Sequence, residues 1–258
     1  MYIRLALLPQ VFRFNLNIKL GFVTTLLTGM IFVSDAIIAC QTLHDELNLA
    51  MHETGCRPPV IWVESDYHND PNQLRAKLQE EIDSLKNIDN ILFVYGCCGN
   101  GLVGLKASTA NLIIPKTEDC ISMVLSRPDE KFERHKQTYF LTKGWMEGSK
   151  SIFVEYEHAL KRYGEKRTKR LFEVMLKHYH YFMLIDTGAY NLEDCLRKAE
   201  ELAQNTALEL VMAKGDIWFL KKLLTGPYDE DFCVVPKGGT VSITHLGLAH
   251  TVPAHQAI

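Results

Sequence analysis

The sequence predicts an α/β protein: an open, mostly parallel, Rossmann-like sheet flanked by helices, with a helix-rich second half. Three observations predict it. Apolar runs of four to ten residues recur from residue 31 onward, separated by amphipathic stretches. The runs are continuous rather than alternating, as in strands buried on both faces. The stretches between them keep helical spacing and tend to stop at glycine or proline.

The first strand is IFVSDAIIAC, and TLHDELNLAMHE follows with Leu43, Leu47 and Met51 on one helical face, broken by Gly55 and Pro58-Pro59. VIWVES is the second strand. Pro71 then opens a helix with Leu74, Leu78, Ile82 and Leu85 one turn apart. ILFVYG is the third strand, followed by the glycine-rich CCGNGLVGL; NLIIP is the fourth, followed by KTEDCISMVL as a helix start. Strands separated by helical segments imply right-handed parallel βαβ units. Beyond them, GWMEGSKSIFVEYEHALKRYG and EKRTKRLFEVMLKHY read as two long helices joined at Gly164. YFMLID, ALELVMA and DFCVVP are strands, with LEDCLRKAEELAQ and DIWFLKKLLTG as helices between them. The second half is expected to pack on the first sheet or continue it. Residues 31–236 therefore read as one domain with a soft sub-boundary near 127–137, and 237–258 as a C-terminal tail.

The first thirty residues stand apart, being apolar with only Arg4, Arg13 and Lys19 charged. A secretory signal would need a cleavage site of small residues, which is not clear here. An anchor would need roughly 20 apolar residues, but Leu20 to Cys40 includes Thr24, Thr25, Thr28, Ser34 and Asp35. The reading that fits best makes 1–30 an extension with a mis-called start, the true start being Met30. A net charge of −3 offers nothing to nucleic acid or an anionic membrane surface, so no nucleic acid partner is expected. No membrane is expected either, unless the N-terminal stretch is a real anchor. Seven cysteines in a chain of 258 residues do not make a secreted disulfide scaffold. A reducing, cytoplasmic setting is expected, in which thiols either pack as small hydrophobes or do chemistry.

Ligands of open parallel sheets bind beyond the carboxyl ends of the strands. Cys40 follows the first strand, His68 the second, Cys97 and Cys98 the third, and Cys120 the fourth. Each thiol lies near a helix start, where free N–H groups favour thiolate, the form that binds metal or attacks an electrophile. Cys40, Cys98 and Cys120 are accordingly the candidate metal ligands, for zinc or an iron–sulfur cluster with one position open. A metal-free reactive thiol and inert buried cysteines are the alternatives. His68 reads as a ligand or general base, or as part of a polar turn before the helix at Pro71. Gly99, Asn100 and Gly101 could hold an anionic ligand through backbone N–H groups, but GNGLVG matches the dinucleotide fingerprint only in part and suits a tight turn equally well. Lys143 could reach an anionic substrate, while Trp145 could cover a flat ligand or belong to the core. Glu118 and Asp119 could orient Cys120 or be first-turn acids. Cys195 and Cys233 read as structural, and Cys56 has no assignment.

Taken together and in order, AIIACQTLHDEL, ILFVYGCCGNGLVGL, LIIPKTEDCISMVL, TYFLTKGWMEG, YFMLIDTG and GDIWFLKKLLTGPYDEDFCVVP resemble the domain-of-unknown-function family 1638, over roughly residues 35 to 240. The resemblance implies a setting in methanogens and anaerobic bacteria, beside genes for corrinoid-dependent methyltransferases. It places the family's cysteine motifs on Cys40, on Tyr95, Gly96, Cys98 and Gly99, and on Asp119 and Cys120, favouring Cys98 over Cys97. Many members carry His where this chain has Glu118, so no ligand role carries over to that position. The function expected is a thiolate-site metalloprotein, enzyme or accessory factor, in corrinoid-linked methyl-group metabolism. Its partners would be a small-molecule substrate and, as the resemblance implies, a corrinoid protein. The alternatives are a non-catalytic binding module for a corrinoid protein or small anionic ligand, and a metal-free thiol enzyme.

Overall fold

The computed structural model describes residues 34–128, 130 and 132–247. The reading of residues 1–30 lies outside the described residues. The first sheet contains β1 (Asp35–Cys40), β2 (Val60–Val63), β3 (Asn90–Val94) and β4 (Asn111–Pro115), which run parallel in the order β2-β1-β3-β4. A second parallel sheet has the order β5 (Thr138–Leu141), β6 (Tyr181–Asp186), β7 (Glu209–Lys214). The last strand, β8 (Phe232–Val235), returns to the first sheet and pairs antiparallel with β4. The helices are α1 (His44–Thr54), α2 (Pro71–Ser84), α3 (Cys120–Leu125), α4 (Lys143–Glu147), α5 (Ile152–Tyr163), α6 (Glu165–Met175), α7 (Leu192–Thr206) and α8 (Trp218–Thr225). Among the described residues no helix is long and apolar enough to cross a membrane.

Alternation along the strands sends successive side chains to opposite faces. Ile37, Ala39, Leu92 and Val94 pack with Leu47 of α1 and Leu220 and Leu223 of α8. Ile38, Cys40, Ile91, Phe93 and Tyr95 take the other face, under Leu74, Leu78 and Ile82 of α2. Both faces are buried, which is why these strands read as unbroken apolar runs. Each fully buried Leu, Ile or Phe contributes about 1.5–3 kcal/mol relative to an exposed one. The second sheet builds its own core from Phe182 and Leu184 with Phe172 of α6 and Ala199 and Leu202 of α7.

Three features differ from the sequence expectation. No helix connects β3 to β4: residues 98–104 form turns, with positive φ at Cys98, Gly99, Asn100 and Gly104. Helical backbone excludes such φ values, and the loop buries Leu102 and Leu105 instead. Residues 237–247 cover it, with Gly104 N–H donating to the Val241 carbonyl at 2.8 Å and Val241 N–H to the Leu105 carbonyl at 2.8 Å. The stretch from 144 to 164 is two helices rather than one, because the chain leaves α4 at Gly148 and the Ser151 hydroxyl caps α5 by accepting from Val154 N–H. The second half is also divided, with β5–β7 forming a separate sheet and β8 alone extending the first.

One polar contact joins the two halves in the interior. Glu46 of α1 is 1% exposed, and Thr187, just past β6, donates its hydroxyl to Glu46 Oε1 at 3.0 Å. Burial is the main reason its carboxyl is raised from 4.5 to about 7; the hydrogen bond from Thr187 opposes the shift, as does the Lys143 charge, while Asp45 adds to it. Folding therefore favours protonated Glu46. That contribution is complete below the unfolded carboxyl's pKa and is lost as pH rises through about 7. Glu46→Gln keeps an acceptor for Thr187 and cannot ionise. Urea unfolding should show the variant more stable by about 3 kcal/mol at alkaline pH, the gain shrinking toward zero as pH falls to that of an ordinary carboxyl. An effect of equal size at both ends of the range would show that ionisation is not its cause.

Candidate functional site

The order β2-β1-β3-β4 reverses between β1 and β3, and a crevice opens at such a switch point beyond the carboxyl ends of the strands. Cys40 is the last residue of β1. The short turn Ser65–Asn69 after β2 carries His68, and Asp70 fixes the next helix by accepting from Asn72 and Gln73 N–H ahead of α2. Tyr95 to Cys98 follow β3, and Cys120 opens α3 behind its N-cap Asp119, which accepts from Ser122 N–H at 2.9 Å.

Two glycines let these loops close on each other. A Cβ on Gly96 would lie 2.6 Å from the backbone of Asp119, and Cys97 N–H and Cys98 N–H donate to the carbonyls of Thr117 (2.8 Å) and Glu118 (2.9 Å). A Cβ on Gly144 would lie 2.0 Å from the Thr42 carbonyl. The start of α4 is thereby seated on the turn after Cys40, and Trp145 reaches the thiols from the second sheet.

Cys40 is 1% exposed. Its Sγ lies 2.9 Å from Thr42 Oγ1 and 3.9 and 4.0 Å from His68 Nε2 and Nδ1. His68 Nδ1 is 3.1 Å from the Ser65 carbonyl, an acceptor, so Nδ1 carries a proton and Nε2 is the nitrogen free to exchange one with sulfur. Burial alone would raise the thiol pKa, but the hydrogen bond and charge of His68, with help from Thr42, lower it below the ordinary value. Burial would likewise lower His68, and the Cys40 partner raises it instead. Both shifts run toward the charged forms of the two groups. The turn Gln41–Leu43 and α1 begin immediately after Cys40, so their N-terminal N–H groups face the same negative charge.

The other two candidate thiols differ. Burial raises Cys120, and the neighbouring Asp119 and Cys40 charges raise it further, against the hydrogen bond that Trp145 Nε1–H donates to its Sγ at 3.3 Å. Cys98 is raised well above the ordinary value by burial and by Cys120, Asp119 and Cys40. The structure thus brings Cys40, Cys98 and Cys120 close enough to feel one another's charge, with only Cys40 poised as thiolate. Tyr95 lies among them, stacked on His68 with centroids 5.8 Å apart, and Trp145 meets His68 edge-on at 5.8 Å.

The remaining candidates lie elsewhere. Lys143 holds Asp45 of α1 at 2.8 Å and is not a partner of the thiols. The loop of Gly99, Asn100 and Gly101 opens no helix. A Cβ on Gly101 would lie 2.7 Å from Leu74, and Arg75 donates to the Asn100 carbonyl at 3.0 Å, so the loop serves packing. Cys97 turns from Cys98 and donates to Asn100 Oδ1 at 3.4 Å. Glu118 and Asp119 both pair with Arg134. Cys195 and Cys233 are buried in apolar cores, and Cys56 is half-buried. Among the described residues no group of three His, Cys, Asp or Glu side chains is arranged to hold a metal ion. The three-cysteine set in its present geometry therefore fits a zinc ion or cluster only if its side chains move. Sequence reasoning gave no role to Thr42, two residues past Cys40, or to the hydroxyl of Tyr95.

Residues 62–224, more than half of the chain, match the model of a family described as "Protein of unknown function (DUF1638)". The match contains His68, Tyr95, Cys98, Cys120 and Trp145, while Cys40 lies before it. No curated protein and no solved structure matches.

Gly144 tests whether the site depends on this close seating. Gly144→Ala should lower stability by about 3 kcal/mol, because backbone rather than a flexible side chain blocks the new methyl group. It should also increase alkylation of Cys120 in the native protein as Trp145 is lifted. Urea unfolding and thiol labelling check this; a variant as stable as the parent would mean that α4 can separate from Thr42 at no cost.

Proposed function

The chain belongs to the DUF1638 family, and from its site we propose that it is a thiol enzyme whose nucleophile is Cys40, activated by His68 without a metal. The observation that carries this reading is the buried Cys40–His68 pair, with sulfur 3.9 Å from Nε2 and both ionisations shifted toward the charged pair. A thiolate at neutral pH attacks electrophilic carbon, and the imidazolium beside it holds the proton that a leaving group needs. Thr42 donates to the sulfur and orients it. His68, Trp145 and Cys98 are half-buried, and a small molecule would approach Cys40 past them.

A second reading keeps the same residues as ligands. It is favoured by the mutual charge effects of Cys40, Cys98 and Cys120, which gather three thiols around one centre. In it, Cys40 and His68 with Cys98 or Cys120 would close on zinc or an iron–sulfur cluster, in corrinoid-linked methyl-group metabolism with a corrinoid protein as partner. A bound metal would supply Lewis-acid or electron-transfer chemistry.

Iodoacetamide labelling at a series of pH values, read by peptide mass, separates the two. Cys40 should react with a midpoint well below the ordinary thiol value of about 8.5, while Cys98 and Cys120 stay protected until the protein unfolds. His68→Ala should slow Cys40 labelling on the order of tenfold near pH 6.5 and move the midpoint upward. Under the second reading, anaerobically purified protein would instead carry near-stoichiometric zinc or iron that shields Cys40 and is lost in Cys40→Ala. Metal-free protein with a Cys40 no more acidic than free cysteine would sink both.

A further inference from the structure

Tyr95 holds a polar group that the pair just described does not use. The residue is 0% exposed, and among the described residues its hydroxyl makes no hydrogen bond of ordinary geometry, with the Cys40 sulfur as a weak acceptor beside it. It lies near Cys98 and Cys120 as well, and its ring stacks on His68. The other donors around it are occupied: Thr42 by Cys40, His68 Nδ1 by Ser65, and Trp145 Nε1 by Cys120. A buried hydroxyl with only a weak acceptor lowers stability, and such costs persist where a ligand supplies a better partner.

We infer that Tyr95 is a catalytic residue whose hydroxyl donates a hydrogen bond to the carbonyl oxygen of an acyl substrate while Cys40 attacks its carbonyl carbon. The inference rests on the thiol reading above and narrows its electrophile to esters, thioesters or activated amides. The Cys40 sulfur gives its electron pair to the carbonyl carbon, the C–S bond forms, and the C=O π pair moves onto oxygen, where the Tyr95 O–H stabilises the developing charge. As that pair returns, the bond to the leaving group breaks and the leaving group takes the proton from His68 Nε2. Neutral His68 next removes a proton from water, the water oxygen attacks the thioester, and Cys40 departs as thiolate beside the renewed imidazolium. Ester plus water becomes carboxylic acid plus alcohol. The donor is a side-chain hydroxyl fixed by the core rather than a loop amide, so it needs no rearrangement when charge appears.

The test compares two probes on the full chain: 4-nitrophenyl acetate, which has a carbonyl oxygen, and iodomethane, which has no oxygen. Cys40 modification is followed by mass, with Cys40→Ala as the control. Tyr95→Phe should slow acetylation of Cys40 on the order of tenfold or more while changing methylation less than about twofold. Its melting temperature should stay close to the parent's, since the hydroxyl removed makes no hydrogen bond of ordinary geometry. Site-specific 3-fluorotyrosine at position 95 keeps the shape with a more acidic phenol; it should alter the acetylation rate alone, and it decides the matter if the Phe variant does not fold. Equal slowing of both probes, or no slowing of acetylation, would overturn the role of Tyr95 and leave the thiol reading standing. A parent Cys40 that reacts with neither probe at neutral pH would overturn that reading itself.

Discussion

The Cys40 sulfur lies 3.9 Å from the His68 ring in a place that water barely reaches, and a charge there needs a partner. Neither group would ionise alone: desolvation pushes the thiol up and the imidazole down. Together they reverse both tendencies, because each supplies the opposite charge that the other lacks. The hydrogen bond between them is long, and the opposite charges add to it. It therefore depends on the low polarity of the surroundings, which Tyr95 and Trp145 provide. Removing either aromatic cover would admit water and weaken the pair without touching its members.

The same pair explains why three thiols so near each other behave differently. Once Cys40 carries the negative charge, a second thiolate nearby meets repulsion as well as burial, and Asp119 adds a further negative charge beside Cys98 and Cys120. Arg134 neutralises part of that acid but is directed at the carboxylates rather than at sulfur. These charges favour ionisation at Cys40 over Cys98 and Cys120. A metal would invert the pattern, since it stabilises several thiolates at once, so the protonation of Cys98 and Cys120 is the physical difference between the two readings of the site.

Much of this edge is legible in the sequence. β1, β3 and β4 are continuous apolar runs that end at Cys40, Val94 and Pro115, so the parallel sheet follows from pattern alone. Cys97 donates to Asn100 Oδ1, a contact within its own loop that the sequence does not announce. Other features depend on contacts between distant segments. The direction of β8 is set by its pairing with β4, and four apolar residues carry no sign of direction. The missing helix after β3 was signalled by the glycines, yet the same glycines suit a phosphate loop, and only the packing of Gly101 on Leu74 separates the two. Lys143 sits at a strand-to-helix junction as expected, but Asp45, 98 residues earlier, claims its charge. Hydroxyls such as those of Thr42 and Tyr95 acquire a role only through distance, which residue type does not encode.

The strand edge also concentrates features that a sequence chosen for stability alone would avoid. Cys98 adopts φ 45, a conformation that residues with a Cβ rarely take. Tyr95 and Thr117 keep buried hydroxyls without a hydrogen bond of ordinary geometry, and buried Cys40 lies against His68. Away from this edge, the parallel strands and the helices over them obey the ordinary rules: both faces are apolar, and several helices carry side-chain caps at Asp70, Ser151 and Asn191. A fold whose local choices agree nearly everywhere can tolerate a few that do not, and such exceptions gather where chemistry needs them. Others lie away from the switch point, with positive φ at Asn87, Gln137 and Ala207 and a buried hydroxyl without a partner at Thr168. What sets the switch point apart is that its exceptions lie beside Cys40 and His68, within reach of the β3 and β4 loops and of α4.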